Sequence, residues 1–212
     1  MTACFRIRLL QWPLLAFLSA CLSPALAHHP MGGATPATLW QGLLSGVGHP
    51  VIGPDHLVFL LAAGVLCGAG RIVSNAQALL LAGLFAIAAM VGTALRVPGV
   101  AVPFGEAFVS VSLLILAACL LLGRLPGLRV AVPLAAGAGL AHGYAFGEAV
   151  IGAESTPVLG YLAGLALAQM ALMISAYFIA AAARRHSPAR ALWTTRLAGF
   201  AAAAVALVAW VR

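Results

Sequence analysis

Six long apolar stretches dominate the sequence from residue 38 onward, and they limit the folds that it can adopt. They cover about 38–69, 74–95, 105–123, 130–152, 156–182 and 191–211. A helix needs about 20 apolar residues to cross a bilayer, and only 7% of the residues are charged, against roughly 25% in soluble domains. The sequence therefore predicts an all-α fold, a polytopic membrane bundle of six transmembrane helices in the lipid bilayer.

The first 27 residues have the features of a cleaved signal peptide. Arg6 and Arg8 form a basic region, an apolar core follows them, and Ala-Leu-Ala at 25–27 matches an A-x-A cleavage site. The alternative is a lipoprotein box at 18–21, which would make Cys21 a lipidated first residue. We expect cleavage of the signal peptide.

Cleavage after residue 27 would leave 28–37 as a periplasmic N-terminal segment and 38–212 as one transmembrane domain. Six crossings then place most arginines at the cytoplasmic ends of the helices, namely Arg71, Arg124, Arg129, Arg184, Arg185, Arg190 and Arg196. Only Arg96 and Arg212 fall at the outer ends, which is the bias that the positive-inside rule describes. We therefore expect a bacterial inner-membrane protein whose mature N- and C-termini are both periplasmic.

The composition excludes two classes of partner. The formal net charge is +7, but the arginines punctuate apolar stretches and form no basic soluble face, so we expect no nucleic acid to bind. Lysine is absent from the whole sequence, which rules out a Walker A nucleotide site. The sequence does not indicate an oligomeric state.

The first apolar stretch is interrupted by ionisable and helix-breaking residues. The segment His-Pro-Val-Ile-Gly-Pro-Asp-His at 49–56 places His49, Asp55 and His56 among two prolines and a glycine. The prolines remove backbone donors, so the helix must open here. Imidazole and carboxylate groups suit a divalent transition ion, and ionisable groups inside a membrane usually mark a pathway. The alternative is a pair of hydrogen-bonded histidines that stabilise a kink.

Two further acidic residues stand beside special local patterns. In the fourth stretch, His142 precedes Glu148 by six residues, a separation that points side chains about 120° apart on a regular helix. They would converge only if the helix unwinds at an intervening glycine. Glu106 opens the third stretch in a Phe-Gly-Glu-Ala segment that recurs at 146–149. A favourable helix-dipole interaction is the alternative explanation of Glu106.

The two His-x5-acid patterns lie three spans apart, which suggests a 3+3 inverted repeat. Such transporters place broken helices from both halves at the membrane midplane. We expect a side chain of His142 or Glu148 within roughly 4–8 Å of the 49–56 motif. A polar cavity should lie beside them, and Glu106, but not Glu154, should line this cavity or its mouth on the outer side.

The predicted mature chain begins His28-His29-Pro30-Met31. The α-amine, two imidazoles and a thioether could capture a metal ion outside the membrane. The alternative is a solvated tail with chance histidines. The candidate metal-ligating residues of the whole chain are therefore His49, Asp55, His56, His142, Glu148, Glu106, His28 and His29.

The motif at 49–56 resembles the HPxxGxDH signature of the HupE/UreJ family of nickel/cobalt permeases. A glutamate followed by a serine in the third span of the family is matched by Glu106 and Ser110. The fourth-span motif of the family reads close to HGxAHGxE. Here Phe146 replaces its second histidine and Glu148 comes one place early.

The resemblance appears over the whole chain, and it implies a permease that takes up Ni²⁺ in the first place, with Co²⁺ as the second candidate. The metal would be the transported substrate, and we expect no cofactor and no catalytic residue. A membrane hydrolase with a Zn²⁺ held by His and Asp is the alternative, and it would need three protein ligands and an open position. The sequence contains neither HExxH nor GxSxG. A structural subunit would leave the intramembrane ligands unexplained.

Overall fold

The fold is entirely helical in the part of the chain that the structure, a computed structural model, describes: residues 34–70, 74–101, 105–124 and 126–211. Its α-helices are α1 Leu39–Ile52, α2 Pro54–Ala69, α3 Asn75–Arg96, α4 Gly105–Leu122, α5 Leu128–Phe146, α6 Ser155–His186 and α7 Pro188–Val211. A 3-10 turn at Gly147–Val150 follows α5 directly. The predicted all-α membrane bundle is confirmed, whereas the predicted signal peptide, His28 and His29 lie outside the described residues.

The helices match the predicted spans closely. Five of them, α3 to α7 with the 3-10 turn counted as part of α5, are each long and apolar enough to cross a membrane. The helices α1 and α2 meet the same criteria only together, and they are bent by 76° at the break between them. Counting the bent pair as one span gives the six crossings that the sequence predicts.

Two prolines explain the break between α1 and α2. Pro50 lies inside the last turn of α1, and Pro54 is the first residue of α2, where its missing N–H costs nothing. Gly53 between the helices is extended, with φ −75° and ψ 108°, because a residue before proline is disfavoured in the α region. The predicted opening of the helix is therefore confirmed, and it falls at Gly53.

Both halves of the broken span pack in parallel against the long helix α6. Glycines allow backbone contact: a Cβ added at Gly42 would collide with the carbonyl of Pro157, and one added at Gly64 with the carbonyl of Met173. The contacts therefore move toward the C-terminal end of α6 as the chain passes from α1 to α2. The bent pair consequently runs past α6 in one direction and does not turn back, as one broken span would.

The helices α3 and α5 form a second parallel pair. A Cβ added at Gly139 would collide with the carbonyl of Phe85, and one added at Gly143 with the backbone of Ala89. In chain order these are spans two and four, while the first pair joins spans one and five. An inverted repeat of three spans would relate spans one and five to spans four and two. The two pairs are therefore arranged as such a repeat requires, and the repeat itself stays a prediction.

Candidate functional site

The first and fourth spans meet at two buried histidines. The Nδ1 atoms of His56 and His142 lie 2.9 Å apart, and the two residues are 4% and 0% exposed. His56 sits in the first turn of α2, directly after the break, and His142 one turn before the end of α5. Of the two fourth-span candidates, His142 is thus the one that the fold brings to the first-span motif.

A serine of α4 determines the tautomer of His142. The Ser112 hydroxyl donates to the carbonyl of Val109 at 2.7 Å and also lies 3.0 Å from His142 Nε2. Since the hydroxyl has only one proton, His142 Nε2–H must be the donor in the second bond. A neutral His142 then accepts at Nδ1, so His56 donates from Nδ1 and its lone pair lies on Nε2.

A tyrosine of α6 determines the tautomer of His49 in the same way. The Tyr161 hydroxyl donates to the carbonyl of Phe146 at 2.7 Å and lies 2.7 Å from His49 Nδ1. His49 must therefore donate from Nδ1, which places its lone pair on Nε2 when the ring is neutral. Both first-span imidazoles, assigned from their partners, thus carry the lone pair on Nε2, the arrangement in which the other ring nitrogen orients a metal ligand.

Asp55 adds a carboxylate beside His56. Its Oδ1 accepts from the backbone N–H of His56 at 2.9 Å and lies 4.0 Å from His56 Nε2. Two metal–ligand bonds of about 2.0–2.2 Å can span a ligand separation of up to about 4.4 Å. One divalent ion could therefore bind both atoms without a backbone movement.

His49 and His56 lie well inside the first span. His49 is ten residues after the first residue of α1, which is about 15 Å along a helix axis. That distance is about half of a hydrocarbon core, which is roughly 30 Å thick. The ring centroids of His49 and His56 are 6.0 Å apart.

Phe146 occupies the space next to both first-span imidazoles. Its ring centroid lies 4.1 Å from that of His56 and 5.1 Å from that of His49, and the residue is fully buried. This is the position at which Phe replaces the second histidine of the resembled motif. A phenyl ring therefore occupies the position from which a third imidazole would contact the other two.

The remaining acidic residues are exposed, unlike the buried histidines. Glu148 is exposed on the 3-10 turn, because α5 stays regular through Gly143 and tightens only after Phe146. Glu106 is exposed in the first turn of α4. Glu154, exposed, precedes the first residue of α6. Within the described ranges, no three His, Cys, Asp or Glu side chains are arranged to hold one metal ion.

A large cavity lies beside the histidines, but its lining is apolar. It has a volume of about 570 Å³ and is bounded by residues of α2, α3, α4 and α5 and by Met173 of α6. Phe59 and Tyr144 contribute to its wall, and Ser112 connects it to His142. Neither Glu106 nor the histidines line it, so it differs from the polar cavity that the sequence suggests.

Two polar residues of the site do not stand out in the sequence. Tyr161 is near the start of α6, where a tyrosine is typical of the membrane interface. Ser112 is one of two serines near Glu106, and periodicity alone cannot show which faces His142. Only the packing of α4 against α5, and of α6 against the broken span, reveals that both hydroxyls bind histidines.

The comparisons with known proteins agree with the resemblance of the motif. A model of the HupE / UreJ protein family matches residues 15–209. No curated protein and no solved structure matches the chain. The matched range includes all the described helices except the last residues of α7. The chain therefore belongs to the HupE/UreJ family, and it is a multi-pass membrane protein of metal-ion transport.

Proposed function

We propose that this protein is a secondary transporter that takes up Ni²⁺, with Co²⁺ as the second candidate, across the bacterial inner membrane. The observation that carries the proposal is the pair of buried first-span imidazoles at the break between α1 and α2. Each has its Nδ1 hydrogen-bonded to a residue of another span, His142 or Tyr161. Such irregular backbone within a membrane is typical of ion sites in transporters.

The ligands of the transported ion are Nε2 of His49, Nε2 of His56 and the carboxylate of Asp55. Imidazole and carboxylate together suit Ni²⁺ and Co²⁺. His142 acts as an orienting residue through its bond to His56, and Tyr161 does the same for His49. Hydrogen bonds of this kind fix the ring and raise its basicity as a ligand.

Ion binding draws the three ligands together by a movement of α1 relative to α2. The two helices are joined by a single residue, Gly53, whose backbone is extended. Hinges in transporters and enzymes are short segments of this kind, which absorb the change in φ and ψ. Bending at Gly53 would bring His49 toward Asp55 and His56.

Three acidic residues favour entrance of the ion from one end of the bundle. Glu106 and Glu154 are at the starts of α4 and α6, and Glu148 follows the end of α5. Helices that alternate in direction place these three positions at the same end, the one that we assign to the periplasm. Acidic residues at an entrance raise the local concentration of a cation, and His28 and His29 would capture the ion before it enters.

The arrangement of ligands supports transport more than hydrolysis. A catalytic zinc site has three protein ligands in place and an open position for water. Among the described residues no such trio is assembled. A site that closes only around the ion also releases it readily, which a transporter needs.

Uptake of radioactive nickel and cobalt into cells that express the protein tests the proposal. The His56→Ala variant should lose uptake while it reaches the membrane in normal amount. The matched control is His186→Ala, because His186 is exposed at the end of α6. Normal uptake by His56→Ala, or equal loss in the control, would contradict the assignment of the site.

A further inference from the structure

A glutamine side chain in α6 is buried without the hydrogen bonds that a buried amide normally makes. Gln169 is 0% exposed, and neither its Nε2 nor its Oε1 has a hydrogen-bond partner among the residues that the structure describes. A buried amide without partners costs about 1–3 kcal/mol in proteins. Native structures contain few such groups, so a ligand that bonds to the amide is the simplest explanation.

Gln169 lies on a ridge of α6 that follows the broken first span. The buried residues of α6 include Tyr161, Leu165, Gln169, Met173 and Tyr177, which form a ridge of four-residue spacing that winds gradually around the helix. The first members of this ridge pack against α1 and the last against α2. Gln169 is the central member, so it lies level with the break.

The first span bends away from α6 at this level. Gly46 packs between Tyr161 and Leu165, and Gly64 between Met173 and Tyr177. The first span uses 18 residues between these contacts (64 − 46), whereas α6 uses 12 (173 − 161). The six extra residues form a detour, which contains the motif at 49–56. Gln169 is opposite the middle of this detour.

The prolines of the detour leave backbone oxygens without their usual helical donors. The carbonyl of Gly46 would bond to the N–H of residue 50, and that of Pro50 to the N–H of residue 54, but both of these positions are prolines. Carbonyl oxygens freed in a broken helix coordinate ions in transporters. The amide oxygen of Gln169 is a ligand of the same kind.

We propose that Gln169 is a further ligand on the cation pathway, which contributes Oε1 to an oxygen-lined position next to the histidines. The inference rests on the proposed transport of a divalent metal. Oxygen ligands hold Ni²⁺ and Co²⁺ less tightly than imidazole does. An ion that moves from the histidines to this position is held weakly enough to leave the site.

The test uses the full-length protein in lipid nanodiscs and in proteoliposomes, with Ni²⁺ as the probe. Gln169→Leu should lower the rate of nickel uptake about 10-fold, the loss typical of a removed metal-site contact. It should also reduce the rise in unfolding temperature that Ni²⁺ causes. Without metal, the variant should be as stable as the wild type or more stable, because it removes an unpaired amide.

Met170→Leu is the matched control, since it changes the adjacent residue and conserves volume. A purely structural role of Gln169 predicts wild-type uptake in Gln169→Leu, and that result would overturn the proposal. Gln169→Glu provides a second measurement, because a carboxylate should enlarge the Ni²⁺-induced rise in unfolding temperature. An unchanged or smaller rise in Gln169→Glu would also overturn it.

The two proposals fail in different ways. If the wild type takes up no metal but Gln169→Leu still reduces the Ni²⁺-induced stabilisation, transport is wrong and the ligand assignment stands. If His56→Ala abolishes uptake while Gln169→Leu matches the wild type in uptake and in stabilisation, only the role of Gln169 is wrong.

Discussion

His56 donates a hydrogen bond from Nδ1 to Nδ1 of His142 over 2.9 Å, and this contact joins the first span to the fourth. The direction follows from Ser112, whose hydroxyl accepts from His142 Nε2. His142 thus uses both ring nitrogens within the protein. His56 keeps the lone pair of its Nε2 on the side of Asp55, 4.0 Å from Oδ1.

The roles of the histidines predict graded effects of substitution. His142→Ala should weaken metal uptake roughly 10–100-fold, chiefly through KM, as expected for a group that orients a ligand. His56→Ala should abolish it, because a ligand is removed. Concentration-dependent uptake of radioactive nickel measures both variants. Complete loss in His142→Ala, at normal protein level, would indicate that His142 binds the ion directly.

The hydroxyl of Tyr161 should be needed for full affinity. Tyr161→Phe conserves the packing of the ring but removes the group that joins His49 Nδ1 to the carbonyl of Phe146. We expect an increase of about 10-fold in KM for nickel uptake. Tyr177→Phe is the matched control, because Tyr177 lies on the same helix as Tyr161 but its hydroxyl donates to Asn75 of α3. Equal KM values in the two variants would contradict the role of Tyr161.

Phe146 should limit how tightly the site binds metal. Phe146→His would place a third imidazole in contact with His49 and His56, and added imidazole ligands favour Ni²⁺ and Co²⁺. Calorimetric titration should show at least about 10-fold tighter nickel binding, together with slower turnover because release becomes harder. Phe146→Leu, which keeps the position apolar, should change affinity little. Unaltered binding by Phe146→His would exclude Phe146 from the surroundings of the ion.

The close packing of α3 and α5 should be essential for stability. An added methyl group at Gly143 would overlap the backbone of Ala89, so Gly143→Ala must separate the two helices. Gly83, also in α3, has nothing within 4 Å of an added Cβ, and Gly83→Ala should be neutral or stabilising by about 0.5–1 kcal/mol. Thermal unfolding in detergent compares the two. A smaller loss of stability in Gly143→Ala than in Gly83→Ala would contradict the packing.

Much of the fold could be predicted from the sequence because the membrane restricts the possible structures. Apolar length predicted the spans, and Pro50 and Pro54 predicted the break in the first one. The meeting of His142 with the first-span motif followed from the suspected repeat. Tertiary packing decided the rest: the face of α4 that carries Ser112, the approach of Tyr161 and the exposure of Glu148 depend on how helices cross, which local pattern does not encode.

In the proposed site, His49 and His56 bind the transported metal through Nε2 at the break of the first span. X-ray absorption spectroscopy at the nickel edge, on nickel-loaded protein in lipid nanodiscs, would detect these ligands. We expect two imidazole nitrogens at about 2.0–2.1 Å with oxygen ligands in addition, and the loss of one imidazole in His56→Ala. A spectrum without imidazole, or one that is unchanged in His56→Ala, would contradict the proposed site.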